Sequence, residues 1–256
     1  DCDTDRDAAA LAPLLNLLHQ YQCKANFACV GDLIRQFPDE HLQIKTAGME
    51  IFNHGNKIHS RFADNTRVIS DGFYDKLNSE QIKTDIIQGD ETIRHVFGLK
   101  PAGFRCPHFG TVSRTRQQTV VYPILRALGY DYSTSTLITD RHGYGIDFHP
   151  APQIYEIPLL TCPRHPFTVF DTWHLLDTAT TNHQPGEVTS LFIYILTLAL
   201  KLPHPVLINV YFDPRDIINT DFKTVLEFIR QHQPEIQPLF YSELVNLYQN
   251  KNASEN

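Results

Sequence analysis

No two of the five cysteines (Cys2, Cys23, Cys29, Cys106, Cys162) stand at CxxC spacing, and their number is odd. These facts argue against a disulfide framework and against a cysteine zinc site. Reduced thiols are the expected state, which favours the cytosol. Basic stretches are missing too. Lys and Arg number 22 against 29 Asp and Glu, a net charge of -7 at pH 7 with histidine neutral. No basic stripe stands out, so nucleic acid is not the expected partner. Nor is there a long apolar run. The longest, 191–202, is interrupted by Tyr194 and Thr197 and contains Lys201. It is too short to span a bilayer and reads as a buried helix. No internal repeat, low-complexity segment or linker divides the 256 residues. One large domain with ample core is expected. No signal peptide is visible, which carries no weight because Asp1 opens inside a motif.

Histidine is what the chain has in quantity, with 13 residues. The densest local chemistry lies at 50–60, EIFNHGNKIHS. A short apolar strand end, Ile51 and Phe52, runs into Asn53 and His54; Gly55 and His59 follow. Two neutral imidazoles close together beside a glycine can share one divalent ion. A third ligand is on offer at the start of the chain, where Asp1, Asp3, Asp5 and Asp7 form a carboxylate cluster. One Asp and two His, with open positions for water and substrate, make a hydrolytic metal site.

Apolar periodicity predicts helices at 8–21, 32–47 (broken at Pro38), 78–97, 116–128, 190–202, 220–231 and 242–248. Asn78 and Gln81 form a capping-box pair, and Gly98 is the expected stop. Strands are expected at 25–30, 50–52, 101–104, 130–133, 153–159 and 206–212, with 66–77 irregular. The stretch 136–185, rich in Pro, His and aromatics, reads as loops lining a site. Alternation of strand and helix predicts an α/β fold with a parallel sheet or barrel. His54, Arg105, Asp131 and Asp213 fall at or after strands, and the C-terminal rim is where α/β barrels do chemistry.

Taken together these motifs resemble the polysaccharide deacetylase (NodB-like) family, in family order. DCDTD resembles its paired aspartates, and LLNLLHQYQCKANFACVGD resembles a helix and strand ending in "KATFFVVG". AGMEIFNHGNKIHS resembles "GHEIGNHTYSH", FRCPHFG resembles "FRPPYG", and VLINVYFDP sits where the family has a strand ending in a catalytic His. The spaced aspartates and the NHG sequence resemble the branch of peptidoglycan deacetylases and allantoinase-like enzymes. The resemblance is good over 1–136 and thin until 206. It implies a distorted (β/α) barrel and one divalent ion, usually zinc. The implied reaction is hydrolysis of an N- or O-acetyl group, a carbon–nitrogen bond other than a peptide bond in the amide case. An acetylated carbohydrate or a small amide is the implied substrate. It also keeps an extracytoplasmic location open. By position Asp1 is the implied base, Arg105 its orienter, and Asp3, His54 and His59 the metal ligands. Pro107, His108 and His174 are expected to line the substrate cleft. Cys2 and Cys106 read as packing residues.

Three departures stand out. The histidines are five residues apart, where the family spaces them four apart on one helical face. Asp213 replaces the late catalytic His, and it can donate a proton only if burial or another anion raises its pKa. His174 or His108 are the alternative acids. Last, further chain is expected before Asp1, where the family has another strand. A working but unusual deacetylase and a degenerate member that binds without turnover both remain open, as does oligomeric state.

Overall fold

A computed structural model describes residues 1–64, 68–109, 111–138, 150–151, 154–177 and 183–254. The first helix, α1 (Asp5–Gln20), starts earlier than apolar periodicity alone predicts. Thr4 and Asp7 form a capping box that draws the acidic turn into the helix: Thr4 Oγ1 accepts from the Asp7 amide, and the Thr4 amide donates back to Asp7 Oδ2. Leu11, Leu14, Leu15 and Leu18 cover its buried face.

β1 (Asn26–Cys29) follows, then α2 (Gly31–Gln36) and α3 (Pro38–Thr46), divided at Pro38 as expected. β2 (Glu50–Asn53) pairs with β1 in parallel. β3 (Ser60–Phe62) and β4 (Val68–Ser70) then form an antiparallel hairpin. The stretch expected to be irregular therefore holds a strand, and its first residue, Thr66, lies outside the described residues. α4 (Ser79–Phe97) has the anticipated cap at Asn78 and Gln81, and it stops at Gly98 with φ 62.

β5 (Gly103–Phe104) is followed by α5 (Arg114–Arg116), a π-helical turn (Gln117–Val121) and α6 (Tyr122–Leu128). The expected continuous helix is interrupted because Pro123 has no amide for the α ladder; Tyr122 donates instead to Gln117 O. β6 (Tyr132–Ser133) comes next. Asp131 precedes it and is exposed, so Asp131 lies at the N-terminal end of its strand and not on the catalytic rim.

β7 (Pro150–Ala151) and β8 (Ile154–Glu156) complete the main sheet, in the order β1-β2-β5-β6-β8-β7. All neighbours are parallel except the β7–β8 pair. Gln153, where a strand was expected to begin, is outside the described residues, as are 139–149 and 178–182 of the expected loop region. The rest of that region is more ordered than its composition predicts. It contains the hairpin β9 (Thr161–Cys162) and β10 (His165–Val169), then α7 (Thr172–Asp177). α8 (Pro185–Ala199), α9 (Pro214–Asn219), α10 (Phe222–Gln231) and α11 (Tyr241–Ser254) close the chain. None of the described helices is long and apolar enough to cross a membrane.

Residues 206–212 are not a strand. Asn209 takes the place of a backbone ladder there, its amide group donating to the carbonyls of Ile157 (3.0 Å) and Pro158 (3.2 Å). Scattered backbone bonds still join the segment to both ends of the sheet. Leu160 donates to Asn209 O (2.7 Å), Asp1 donates to Phe212 O (2.8 Å), and Cys2 donates to Ala28 O (2.9 Å) beside β1. Among the described residues, these bonds link β1 and the end of β8 to the 206–212 segment without closing the sheet into a continuous barrel.

Candidate metal centre

The C-terminal end of β2 delivers His54, and the loop after it is strapped down by buried polar groups. Asn53 Oδ1 accepts from the Gly55 amide (2.9 Å), while Nδ2 donates to Ile86 O (2.9 Å) and to the Tyr130 hydroxyl (3.0 Å). Asp85 accepts from the Lys57 amide (2.9 Å) and from Tyr74 (2.7 Å). Gly55 has φ 78, and a Cβ there would run into Asp85 Oδ2, so the turn requires glycine. Because the loop is not helical, the five-residue spacing does not turn His59 aside. The two rings meet edge to face, with centroids 4.8 Å apart.

Both imidazoles aim at Asp3. Its Oδ1 lies 3.2 Å from His54 Nε2 and 3.5 Å from His59 Nε2. Their other nitrogens are committed: His54 Nδ1 to Arg105 O (2.9 Å) and His59 Nδ1 to Lys57 O (3.3 Å). A ring that donates through Nδ1 presents a lone pair at Nε2, the arrangement of a metal-ligating histidine. All three residues are buried. Asp3 Oδ1 and His59 Nε2 find no hydrogen-bond partner. A carboxylate and two imidazoles suit a divalent ion, which would satisfy those orphaned atoms.

Burial pushes the Asp3 carboxyl up, but His54 and His59 outweigh it and hold it well below the ordinary carboxylate value. Burial lowers His54 more than Asp3 restores it. For His59 burial also pulls down, yet the charge of Asp3 leaves it raised.

Asp1 Oδ2 lies 3.8 Å from His54 Nε2. Its Oδ1 pairs with the Arg105 guanidinium, and both side chains are buried. Arg105 also donates to Thr134 O (3.1 Å), Thr134 Oγ1 (3.3 Å) and the Tyr241 hydroxyl (3.0 Å). A carboxylate thus sits beside the Asp3–His54–His59 cluster, paired with a fixed cation.

The sequence matches the polysaccharide deacetylase family over residues 3–132, half of the chain. The chain belongs to the polysaccharide deacetylase family. No curated protein matches it significantly. Among solved structures it is similar to a putative polysaccharide deacetylase from Mycobacterium smegmatis, with TM-score 0.71 at 15% identity, over 96% of this chain and 79% of that one. It is similar to PuuE allantoinase, with TM-score 0.69 at 13% identity, over 93% and 71%. A CE4 family pseudoenzyme from Bacillus anthracis is also similar, with TM-score 0.53 at 16% identity, over 88% and 57%. At these identities the likeness is one of fold.

The matched segment contains Asp3, His54, His59 and Arg105; Asp213 and His174 lie beyond it. In this deacetylase-family chain Asp213 is fully enclosed and faces Arg215 at 3.2 Å. Arg215 also reaches Asp7 at 3.3 Å and lies over the rings of Trp173 (5.3 Å) and Phe62 (5.2 Å). Burial raises the Asp213 carboxyl well above its ordinary value, against the pull of Arg215 and with the push of Asp7. A raised carboxyl can hold a proton, but this one has no exposed surface from which to deliver it.

His174 is differently placed. Its Nδ1 lies 2.6 Å from Asp171 Oδ2, and its side chain is 42% exposed while that of Asp171 is enclosed. Burial pulls the imidazole down, but the hydrogen bond and charge of Asp171 leave it raised. The Tyr211 ring lies under the Arg105 guanidinium at 5.3 Å, and burial together with the charges of Asp171 and Asp213 raises its hydroxyl well above the ordinary value. Asp171 was not among the residues expected from the sequence. The clue was available, as an Asp three residues before His174 at the start of a helix.

Pro107 lines a cavity of about 500 Å³ together with His59, Lys57, Asp71 and Asp85. His108 is engaged behind His59: its Nε2 lies 2.7 Å from Asp71 O and 3.2 Å from His59 O, and its ring stacks on Phe73 at 4.0 Å. Burial and the neighbouring His59 lower it to about 4. A neutral ring with its nitrogen committed to carbonyls braces the His59 loop.

Proposed function

We propose that this chain is a metal-dependent deacetylase hydrolysing an acetyl group, on a carbon–nitrogen bond other than a peptide bond, of an acetylated carbohydrate. The observation that carries the reading is the position of Asp1, held by Arg105, 3.8 Å from Nε2 of His54 in the Asp3–His54–His59 cluster. Asp3, His54 and His59 would hold the ion, zinc being the first choice for this donor set. Its chemistry is Lewis-acid polarisation of the acetyl carbonyl and of water. Asp1 takes the proton of the attacking water, and Arg105 orients Asp1 through a charge-assisted hydrogen bond. His174, poised by Asp171, gives its proton to the departing nitrogen in place of the family's late His. Pro107 and the cavity beside His59 receive the acetylated ring. Asp213 then serves to hold Arg215 against Trp173.

A second reading, binding without turnover, is favoured by the enclosure of Asp213 at the position of the usual acid. Turnover separates the two. The zinc-loaded chain is expected to cleave an activated acetyl ester and, more slowly, a chito-oligosaccharide. General acid help is worth about 10²–10⁴-fold and matters most for an amine leaving group. Ester cleavage that survives Asp1→Asn unchanged would rule out Asp1 as the base. No metal-dependent cleavage of either substrate would leave the binder.

A further inference from the structure

We infer that Cys2, Cys29 and His41 form a second, buried zinc site, separate from the catalytic one. The three residues come from different places: the segment before α1, the end of β1, and α3. Cys2 and Cys29 face each other across a parallel bridge. One ligand atom from each of the three lies within 4.8 Å of the others. All three residues have no exposed surface.

The decisive atom is His41 Nε2. The ring's Nδ1 lies 2.8 Å from Phe37 O, one turn back on the chain, and so carries the proton. Nε2 is then the lone-pair nitrogen, it is buried, and no hydrogen-bond partner reaches it. A buried polar atom left unpaired costs about 1–3 kcal/mol. An apolar residue would avoid that cost if packing were the purpose. Of the two thiols, Cys29 has a weak contact, Sγ to Phe27 O at 3.7 Å.

Two thiols and an imidazole are a soft donor set, the kind that takes zinc or copper(I). Charge decides between them. Binding releases both thiol protons, and two thiolates with a divalent ion leave no net charge in the core. Copper(I) would leave one negative charge buried and uncompensated, which the interior penalises. Zinc–sulfur distances of about 2.3 Å and zinc–nitrogen distances of about 2.0 Å space donors a little under ~4 Å apart. The cluster needs only a small contraction to reach that. The ion would tie the segment carrying Asp1 and Asp3 to β1 and α3, fixing the base and one catalytic ligand from behind.

The test uses cobalt(II) as a spectroscopic probe on the whole, reduced chain. The catalytic cluster offers only nitrogen and oxygen donors, so it gives no thiolate-to-cobalt charge transfer. The proposal expects that near-ultraviolet absorption in the wild type, at one cobalt per chain, and its removal by zinc. It should persist in the His54→Ala, His59→Ala double variant and disappear in Cys29→Ala. Zinc uptake should be two equivalents in the wild type and one in either variant. Cobalt-loaded wild type without sulfur charge transfer overturns the proposal, whether or not the variants fold. Displacement of the cobalt by copper(I) but not by zinc overturns the choice of zinc.

Discussion

His54 donates its Nδ1 proton to the main-chain carbonyl of Arg105, 2.9 Å away. The guanidinium of that same residue grips Asp1. One residue at the end of β5 therefore registers both a proposed metal ligand and the proposed base. Arg105→Lys keeps the carbonyl but loses the planar fork. It should leave zinc stoichiometry unchanged and lower kcat by about 10²-fold or more, since base positioning is what it removes. Loss of zinc together with activity would mean that the side chain, and not the carbonyl, orients His54.

The loop carrying His54 and His59 rests directly on α4. A Cβ at Gly89 would lie 2.8 Å from Gly55 O and would meet Asn53 Oδ1 more closely still. Gly89→Ala should therefore cost stability, although alanine favours helices. Overpacking of this kind costs about 1–3 kcal/mol, and the displaced loop should weaken zinc binding. Urea unfolding and a zinc titration measure the two effects; unchanged zinc affinity would show that the loop tolerates the shift.

His174 and Asp171 predict a pH profile. Asp171 stabilises the protonated imidazole, so the folded pKa lies above the ordinary value of about 6.5. An acid must be protonated, so kcat/KM should fall as pH rises through that raised value. Asp171→Asn should move this alkaline limb to lower pH. The same pair stabilises the fold fully below about pH 6.5 and loses that contribution as pH rises through the folded pKa. An alkaline limb indifferent to Asp171→Asn would remove His174 from the mechanism.

Asp213 gives the opposite kind of test. Burial raises its carboxyl well above the ordinary value of about 3.9. Its contribution to stability is full below that ordinary value and is lost as pH rises through the folded pKa. Asp213→Asn cannot ionise, so its stability relative to wild type should increase from acid to neutral pH. Urea unfolding at both ends of the range measures this. A relative loss at neutral pH would mean that Arg215 keeps Asp213 ionised.

The local signals in the sequence were enough for α4, whose cap at Asn78 and stop at Gly98 depend only on near neighbours. The same holds for the Pro38 break and for the approach of His54 to His59, because a strand end and a glycine turn place the two histidines together. Where partners come from distant segments, sequence patterns did not suffice. Residues 206–212 look like a strand, yet Asn209 supplies the hydrogen bonds that a ladder would have made. Asp213 stands where a catalytic His was expected, but its environment is set by Asp7 and Arg215, brought in by α1 and α9. Cys2 and Cys29 show no metal-binding spacing at all. Parallel pairing sets them side by side, and α3 lays His41 against them. Capping, glycine turns and periodicity act within a few residues and can be read along the chain. Ion pairs, buried donors and ligand clusters form between segments that only the packed sheet and its helices bring into contact.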